Sequence, residues 1–208
     1  MRFGRSVPFV FGMVAAFIAG GGAWANELVR IRRAAEGIRS IKAEFVQQKK
    51  LKILVKPLVS TGEFLFARPG SIRWEYKNPI QSLVLVHKGD VRRFSRRGSD
   101  GLVEDSGGSV EAMGVAMSEI GLWMGGRFDE SKAFAPLFVP GTPNRVELRP
   151  RDKSMARFVT KIVVTFSSVP GVIEALDIME GECDSTHIEF RDVKLNLEIQ
   201  EKMFRDAK

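Results

Sequence analysis

The stretch Pro57–Tyr76 alternates apolar and polar residues with a period of two, broken once at Pro69-Gly70. That period marks β-strands with one buried face, and a proline followed by glycine suits a tight turn. Two strands are therefore expected. Gly62, Phe64, Phe66 and Arg68 share one face of the first, and Glu63, Leu65 and Ala67 the other. In the second, Ile72, Trp74 and Tyr76 face one way, Arg73 and Glu75 the other. Two large apolar faces then lie side by side, with an arginine at the end of the row. An arginine turned towards an apolar interior is unfavourable unless its donors find acceptors. Arg68 is thus the first functional candidate.

Upstream, Leu28, Ile31, Ala35 and Ile38 recur at helical spacing, so a helix is expected over 26–38, capped by Asn26. The period returns to two at Ile41, Ala43 and Phe45 and weakens through Gln47–Ile53. Downstream, Ser82–His87 reads as a continuous apolar strand, Lys88–Asp90 as a turn and Val91–Ser95 as the returning strand. Arg96–Gly108 is polar and rich in glycine, so a loop is expected. Val110, Met113, Met117, Ile120 and Met124 then lie near one side of a helix over Ser109–Met124, with Val115, Leu122 and Trp123 widening its apolar surface. Gly125-Gly126 ends it, Asp129 caps a short helix through Phe134, and Pro136, Pro140 and Pro143 mark a linker. The last third returns to strands at Arg145–Leu148, Val159–Phe166, Val172–Met179 and Thr186–Phe190, the final three forming a meander. The expected fold is mainly β: many antiparallel strands with two helical interruptions suggest one strongly curved sheet or open barrel, whose open end the helices at about 26–38 and 109–134 can cover.

Residues 1–25 change the setting. Arg2 and Arg5 precede a largely apolar run from Pro8 to Ala19, and Ala23-Trp-Ala25 fits a cleavage site. A cleaved leader and export to the periplasm are expected, with 26–208 forming a single domain; an uncleaved anchor is the alternative, although the run is short for a span. The only cysteine, Cys183, is far from the leader, so no lipid attachment at the cleavage point and no intramolecular disulfide are expected. The net charge is +7, and the leader holds no acids, so the remainder stays basic. That suits anionic lipid head groups or acidic partners. No nucleic-acid motif is present.

Two readings of the candidate residues stand side by side. Arg68 bonds the carbonyl groups at a helix end and holds a lid shut, or it turns outward to water. Met113, Met117, Met124 and Trp123 line a cavity that packs against variable acyl chains, or they are ordinary core. A lipid hydrolase would need His87 or His187 beside a nucleophile, but no Gly-x-Ser-x-Gly elbow exists and no histidine pair has zinc-ligand spacing. No catalytic residue, metal or cofactor is expected.

The run Phe45-Val-Gln47, Leu58-Val-Ser-Thr-Gly62, Phe64, Arg68-Pro69, Arg73-Trp74-Glu-Tyr76 and Pro79 closely resembles the periplasmic outer-membrane lipoprotein carriers, the LolA-like family. Asp184, Thr186, Ile188, Phe190, Asn196, Ile199 and Phe204 look like that family's closing pattern. The resemblance implies an incomplete antiparallel β-barrel enclosing an apolar cavity under a helical lid, in a monomeric carrier whose cavity, lined here by Phe45, Phe64, Phe66, Ile72, Trp74, Met113, Met117 and Trp123, binds the acyl chains of lipoproteins. It also implies that an inner-membrane ATP-driven release complex loads the carrier and an outer-membrane acceptor unloads it. The family's lid-latching arginine falls on Arg68. Its aromatic position for directional transfer falls on Ile72, a departure from the pattern. The segment from Lys50 to Pro57 looks like a divergent branch, whose cargo extends to other lipids. A lipid-sensing regulator built on the same cavity is a further alternative.

Overall fold

A computed structural model describes residues 21–98 and 101–207. Most of the expected leader, residues 1–20, lies outside the described residues. The first helix, α1, spans Gly21–Glu36, and its Leu28, Ile31 and Ala35 are buried. Asn26 is an exposed position inside α1, not its cap. Nothing from Ala23 to Glu27 breaks a helix, so α1 runs through the expected start.

Eleven strands follow among the described residues. They are β1 Ser40–Lys50, β2 Leu58–Ala67, β3 Ser71–Asn78, β4 Ser82–His87, β5 Asp90–Arg96 and β6 Leu102–Glu104, then β7 Phe134–Val139, β8 Arg145–Pro150, β9 Lys161–Phe166, β10 Ile173–Glu180 and β11 Asp184–Leu195. They form one sheet in the order β6-β5-β4-β3-β2-β1-β11-β10-β9-β8-β7. Each strand pairs antiparallel with its chain neighbour, and β1 and β11 close the middle (Phe45 opposite Phe190). The sheet does not close on itself. Its edges, β6 and β7, are joined by the second helix, α2 (Gly108–Met124), which packs against β3 and β5.

Three further expectations are corrected. The loop expected over 96–108 contains β6, too short for periodicity to reveal. The short helix expected from Asp129 to Phe134 is only a 3-10 turn, Phe128–Glu130, closed by Ser131, whose Oγ accepts from the Phe134 N–H at 2.8 Å. Of the linker expected at Pro136, Pro140 and Pro143, the first part is the edge strand β7, and Pro140 and Pro143 lie in the β7–β8 connection. Pro136 lies within β7 opposite Leu148, a position open to proline because an edge strand has one side without ladder bonds.

The sheet buries both faces unequally. On the concave side, α1, α2 and every long strand contribute to one apolar cluster. On the other side Leu83, Leu85 and Phe94 form a small cluster under the C-terminal tail. Arg73 is buried there too: it donates to Glu75 at 3.0 Å and to the carbonyls of Met203 and Asp206 at 3.1 and 2.8 Å. A charge at this depth is tolerable because its donors are used.

Candidate functional site

Alternation carries Ile41, Ala43 and Phe45 of β1, Phe64 and Phe66 of β2, and Ile72 and Trp74 of β3 onto the concave face, where all are buried. Five aromatic rings interlock there. Phe45 lies 5.2 Å from Trp74 and 5.0 Å from Tyr76, and Phe64 lies 5.2 Å from Trp74 and 5.4 Å from Phe190, in tilted or edge-to-face contacts. Gly62 makes room for this group. A Cβ there would stand 2.6 Å from Cζ of Phe45 and 1.9 Å from the Glu75 carbonyl oxygen. From above, α2 lays down Met117, Ile120, Trp123 and Met124, all buried, with Met113 half-buried beside them. Leu28 and Ile31 of α1 enter the same cluster. The eight residues expected to line a cavity are therefore in or against one cluster, and side chains of the helices occupy the concave side.

This interior is apolar but not free of polar atoms. The indole N–H groups of Trp74 and Trp123 are buried without a hydrogen-bond partner, as is one carboxylate oxygen of Glu119. The Tyr76 hydroxyl donates to Oε1 of Gln47 at 2.8 Å. Burial pushes its phenol up to about 12, against a smaller downward pull from Trp74.

Arg68 directly follows β2, and its N–H donates to the Arg39 carbonyl at 3.0 Å, beside the passage from α1 into β1. It is exposed as a residue, yet its guanidinium turns back onto the end of α1: Nε donates to the Ile38 carbonyl at 2.9 Å and Nη2 to the Ala35 carbonyl at 2.8 Å. Ala35 lies in the last turn of α1 and its carbonyl also accepts from the Ile38 N–H at 2.9 Å, while Ile38 lies just beyond the helix; a cation is favoured at this end by the helix dipole. Nδ2 of Asn196 donates to the neighbouring Gly37 carbonyl at 3.2 Å, so the β11 tail secures the same junction.

Two glycines seat the body of α1. Gly126, just beyond α2, has φ +69°, and a Cβ there would lie 2.8 Å from Arg32 Cα. Gly171, in the β9–β10 turn, has φ +79°, and a Cβ there would lie 2.7 Å from the Ala35 nitrogen. Both need positive φ and close approach, which glycine alone supplies without strain. Neither was identifiable as a helix seat from sequence, because the partner helix is far away in the chain. Arg32 adds ion pairs to Asp129 and Glu130.

The two histidines are far from any zinc-like cluster, and among the described residues no group of acids, histidines and cysteine could hold a metal. His187 on β11 faces Asp177 on β10 at 2.7 Å, both partly exposed. His87 is different. Its Nδ1 lies 3.1 Å from Ser71 Oγ and its Nε2 2.9 Å from Glu201 Oε1. Sequence reading missed this chain, since Ser71 and Glu201 are brought to His87 only by strand pairing and the returning C-terminal tail. Lys88, followed by His87, holds Glu201 below the usual carboxylate range. The chain ties the tail to the β3–β4 pair. It borders a cleft of about 540 Å³ beside Arg68, and a second cleft, of about 780 Å³, lies between α1 and the β7–β8 and β9–β10 turns.

Residues 36–206 match the family described as Outer membrane lipoprotein carrier protein LolA. An outer-membrane lipoprotein carrier protein of Cupriavidus pinatubonensis is 24% identical over 187 residues, covering 81% of this chain and 77% of the relative. Among solved structures, a LolA superfamily protein from Nitrosomonas europaea shares 10% identity at a TM-score of 0.42, over 86% of this chain and 96% of that one. The Mycobacterium tuberculosis lipoprotein LppX shares 12% identity at a TM-score of 0.43, over 85% and 98%. The family match begins at the last residue of α1 and takes in the whole sheet, α2 and the C-terminal turn, and the chain belongs to the outer membrane lipoprotein carrier protein LolA family.

Proposed function

We propose that this protein is a periplasmic carrier that holds the acyl chains of lipoproteins, or of related lipids, between the concave face and its two helices. It takes cargo from an inner-membrane ATP-driven release complex and gives it to an outer-membrane acceptor, with no chemical step of its own. The observation that carries this reading is the pair of bonds from Arg68 to the Ala35 and Ile38 carbonyls, which fasten α1 over a large apolar face.

Acyl chains enter by displacing the side chains of α1 and α2 from Phe45, Phe64, Phe66, Ile72 and Trp74. Hydrocarbon replaces hydrocarbon there, so the exchange is nearly balanced in apolar burial. Met113 and Met117 are unbranched and adapt to either partner. The balance is then set by small terms. Two partly exposed hydrogen bonds contribute roughly 1–2 kcal/mol in all, about a tenfold bias towards closure. That bias is small enough for cargo to overcome and large enough to favour release at the acceptor.

Arg68→Leu tests the reading. The variant is expected to fold, to bind an acylated lipoprotein peptide at least as tightly as the parent, and to hand it to acceptor-bearing membranes about tenfold more slowly. Transfer at the parent rate overturns the latch.

A further inference from the structure

We propose that the rim of the sheet opposite the latch docks onto an anionic lipid surface, with the β1–β2 loop as its tip. The strand registers define this rim. Lys50 at the end of β1 pairs with Ser185 at the start of β11, Thr61 of β2 pairs with Asn78 at the end of β3, and Lys161 at the start of β9 pairs with Met179 near the end of β10. The β1–β2, β3–β4, β8–β9 and β10–β11 connections therefore all leave the sheet at one end. Arg68 and the α1–β1 junction occupy the other, since Ser40 pairs with Ala67.

The rim carries large apolar side chains that the fold does not use. Ile53 is 87% and Val55 101% exposed at the tip, Ile80 is 72% exposed in the β3–β4 turn, and Phe158 is 75% exposed in the β8–β9 connection. One such residue would need no explanation; four on three connections at one end of the molecule do. Lys50, Lys52 and Lys56 flank the tip and Lys153 and Arg157 flank Phe158. All five are exposed and make no ion pair among the described residues. The acids at this end are largely engaged. Glu180 is paired with Lys49 at 2.9 Å, Asp184 accepts from the Lys52 N–H at 2.7 Å, and Asp152 accepts from the Ser154 N–H; Glu182 is open to solvent.

The arrangement fits a bilayer better than a protein. The apolar residues project singly from separate connections and do not line one contiguous groove, so each enters the acyl boundary on its own. Lysine stems reach from there to phosphate. Attraction of this kind is short-ranged and weakened by salt, as a shuttle that must leave again requires. Docking by this rim leaves α1 and its latch facing away from the membrane.

The test uses the protein as secreted by an expressing bacterium, sedimented with vesicles of phosphatidylethanolamine and phosphatidylglycerol or of phosphatidylcholine alone. Binding is expected to the first and to be weak to the second. Ile53→Asp with Val55→Asp should lower it by at least about tenfold, and each of Lys50→Gln, Lys52→Gln and Lys56→Gln by about fivefold at low salt. Any contribution of the N-terminal segment is common to all variants and cancels. An environment-sensitive dye on Cys183, the single cysteine, exposed in the β10–β11 turn, should shift to the blue on vesicle addition. The same dye at the latch end, on Lys88→Cys with Cys183→Ser, should not. Equal binding by parent and tip variant, or a shift at the latch end only, overturns the proposal. So does a rim that ignores vesicles and crosslinks to a protein instead. Acylated-peptide binding by the same variants separates this outcome from failure of the carrier reading.

Discussion

At the scale of single residues, the interior is governed by two close fits. Gly62 lies under the Phe45 ring and against the Glu75 carbonyl, so Gly62→Ala forces the strands or the ring to move. A loss of about 3 kcal/mol or more in urea unfolding is expected; an unchanged midpoint would mean that the ring is not seated there. Tyr76 provides a second reading of the same place. It is the only tyrosine, and burial lifts its phenol to about 12 from an ordinary value of 10.0. Below the unfolded value it is neutral in both states. Between about 10 and 12 the unfolded chain ionises and the folded one does not, so stability falls as pH rises through that window. Tyrosinate absorbance should titrate near 12 in the native protein and near 10 in denaturant. A native midpoint near 10 would place the phenol in water. Alternation alone assigned Phe64, Trp74 and Tyr76 to one face, because period two is a local property. The need for Gly62 was not legible, since it arises from a ring on the neighbouring strand.

At the scale of elements, α2 is a helix built to be weak. Gly114 and Gly121 sit in its interior, where glycine costs about 1 kcal/mol relative to alanine, and neither is demanded by packing. A Cβ at Gly121 would meet Ile72 Cδ1 at 3.9 Å, an ordinary contact. Gly121→Ala should therefore raise stability by about 0.5–1 kcal/mol. If α2 must yield to admit cargo, the same change should slow uptake of a fluorescent acylated peptide. A thermal midpoint that rises while uptake stays at the parent rate would confine cargo entry to α1. Both helices and most strands were visible as periodic runs. The exceptions have physical causes: β6 spans three residues, and β7 carries a proline, Pro136, that is acceptable only because the strand is an edge. Edge position is a property of the whole sheet and is not written in the strand.

At the scale of the molecule, the topology separates tasks. Pairing of β1 with β11 places the chain's first and last strands at the centre of the sheet, and the α2 segment joins its two free edges. The latch end gathers Arg68, the α1–β1 junction and the C-terminal tail. The opposite rim gathers exposed apolar and basic connections. The sequence pointed to Arg68 as an anomaly and left it between water and a helix end. The structure gives it some of both, an exposed residue whose donors return to α1, and only a long-range contact could decide that. The Ser71–His87–Glu201 chain and the burial of Arg73 under the tail were likewise hidden, because each joins segments far apart in the chain.

The central claim is that acyl chains lie between the concave face and the helices. It is tested most directly by photocrosslinking with an acylated lipoprotein peptide that carries a diazirine near the end of its fatty chain, followed by mapping of the labelled residues. Labels are expected on the interior set, with Phe45, Trp74 and Phe190 on the sheet and Met113, Met117 and Trp123 on α2. Labels confined to the outer clefts or to the 51–57 loop, or no label at all from a peptide that still binds, would contradict the account.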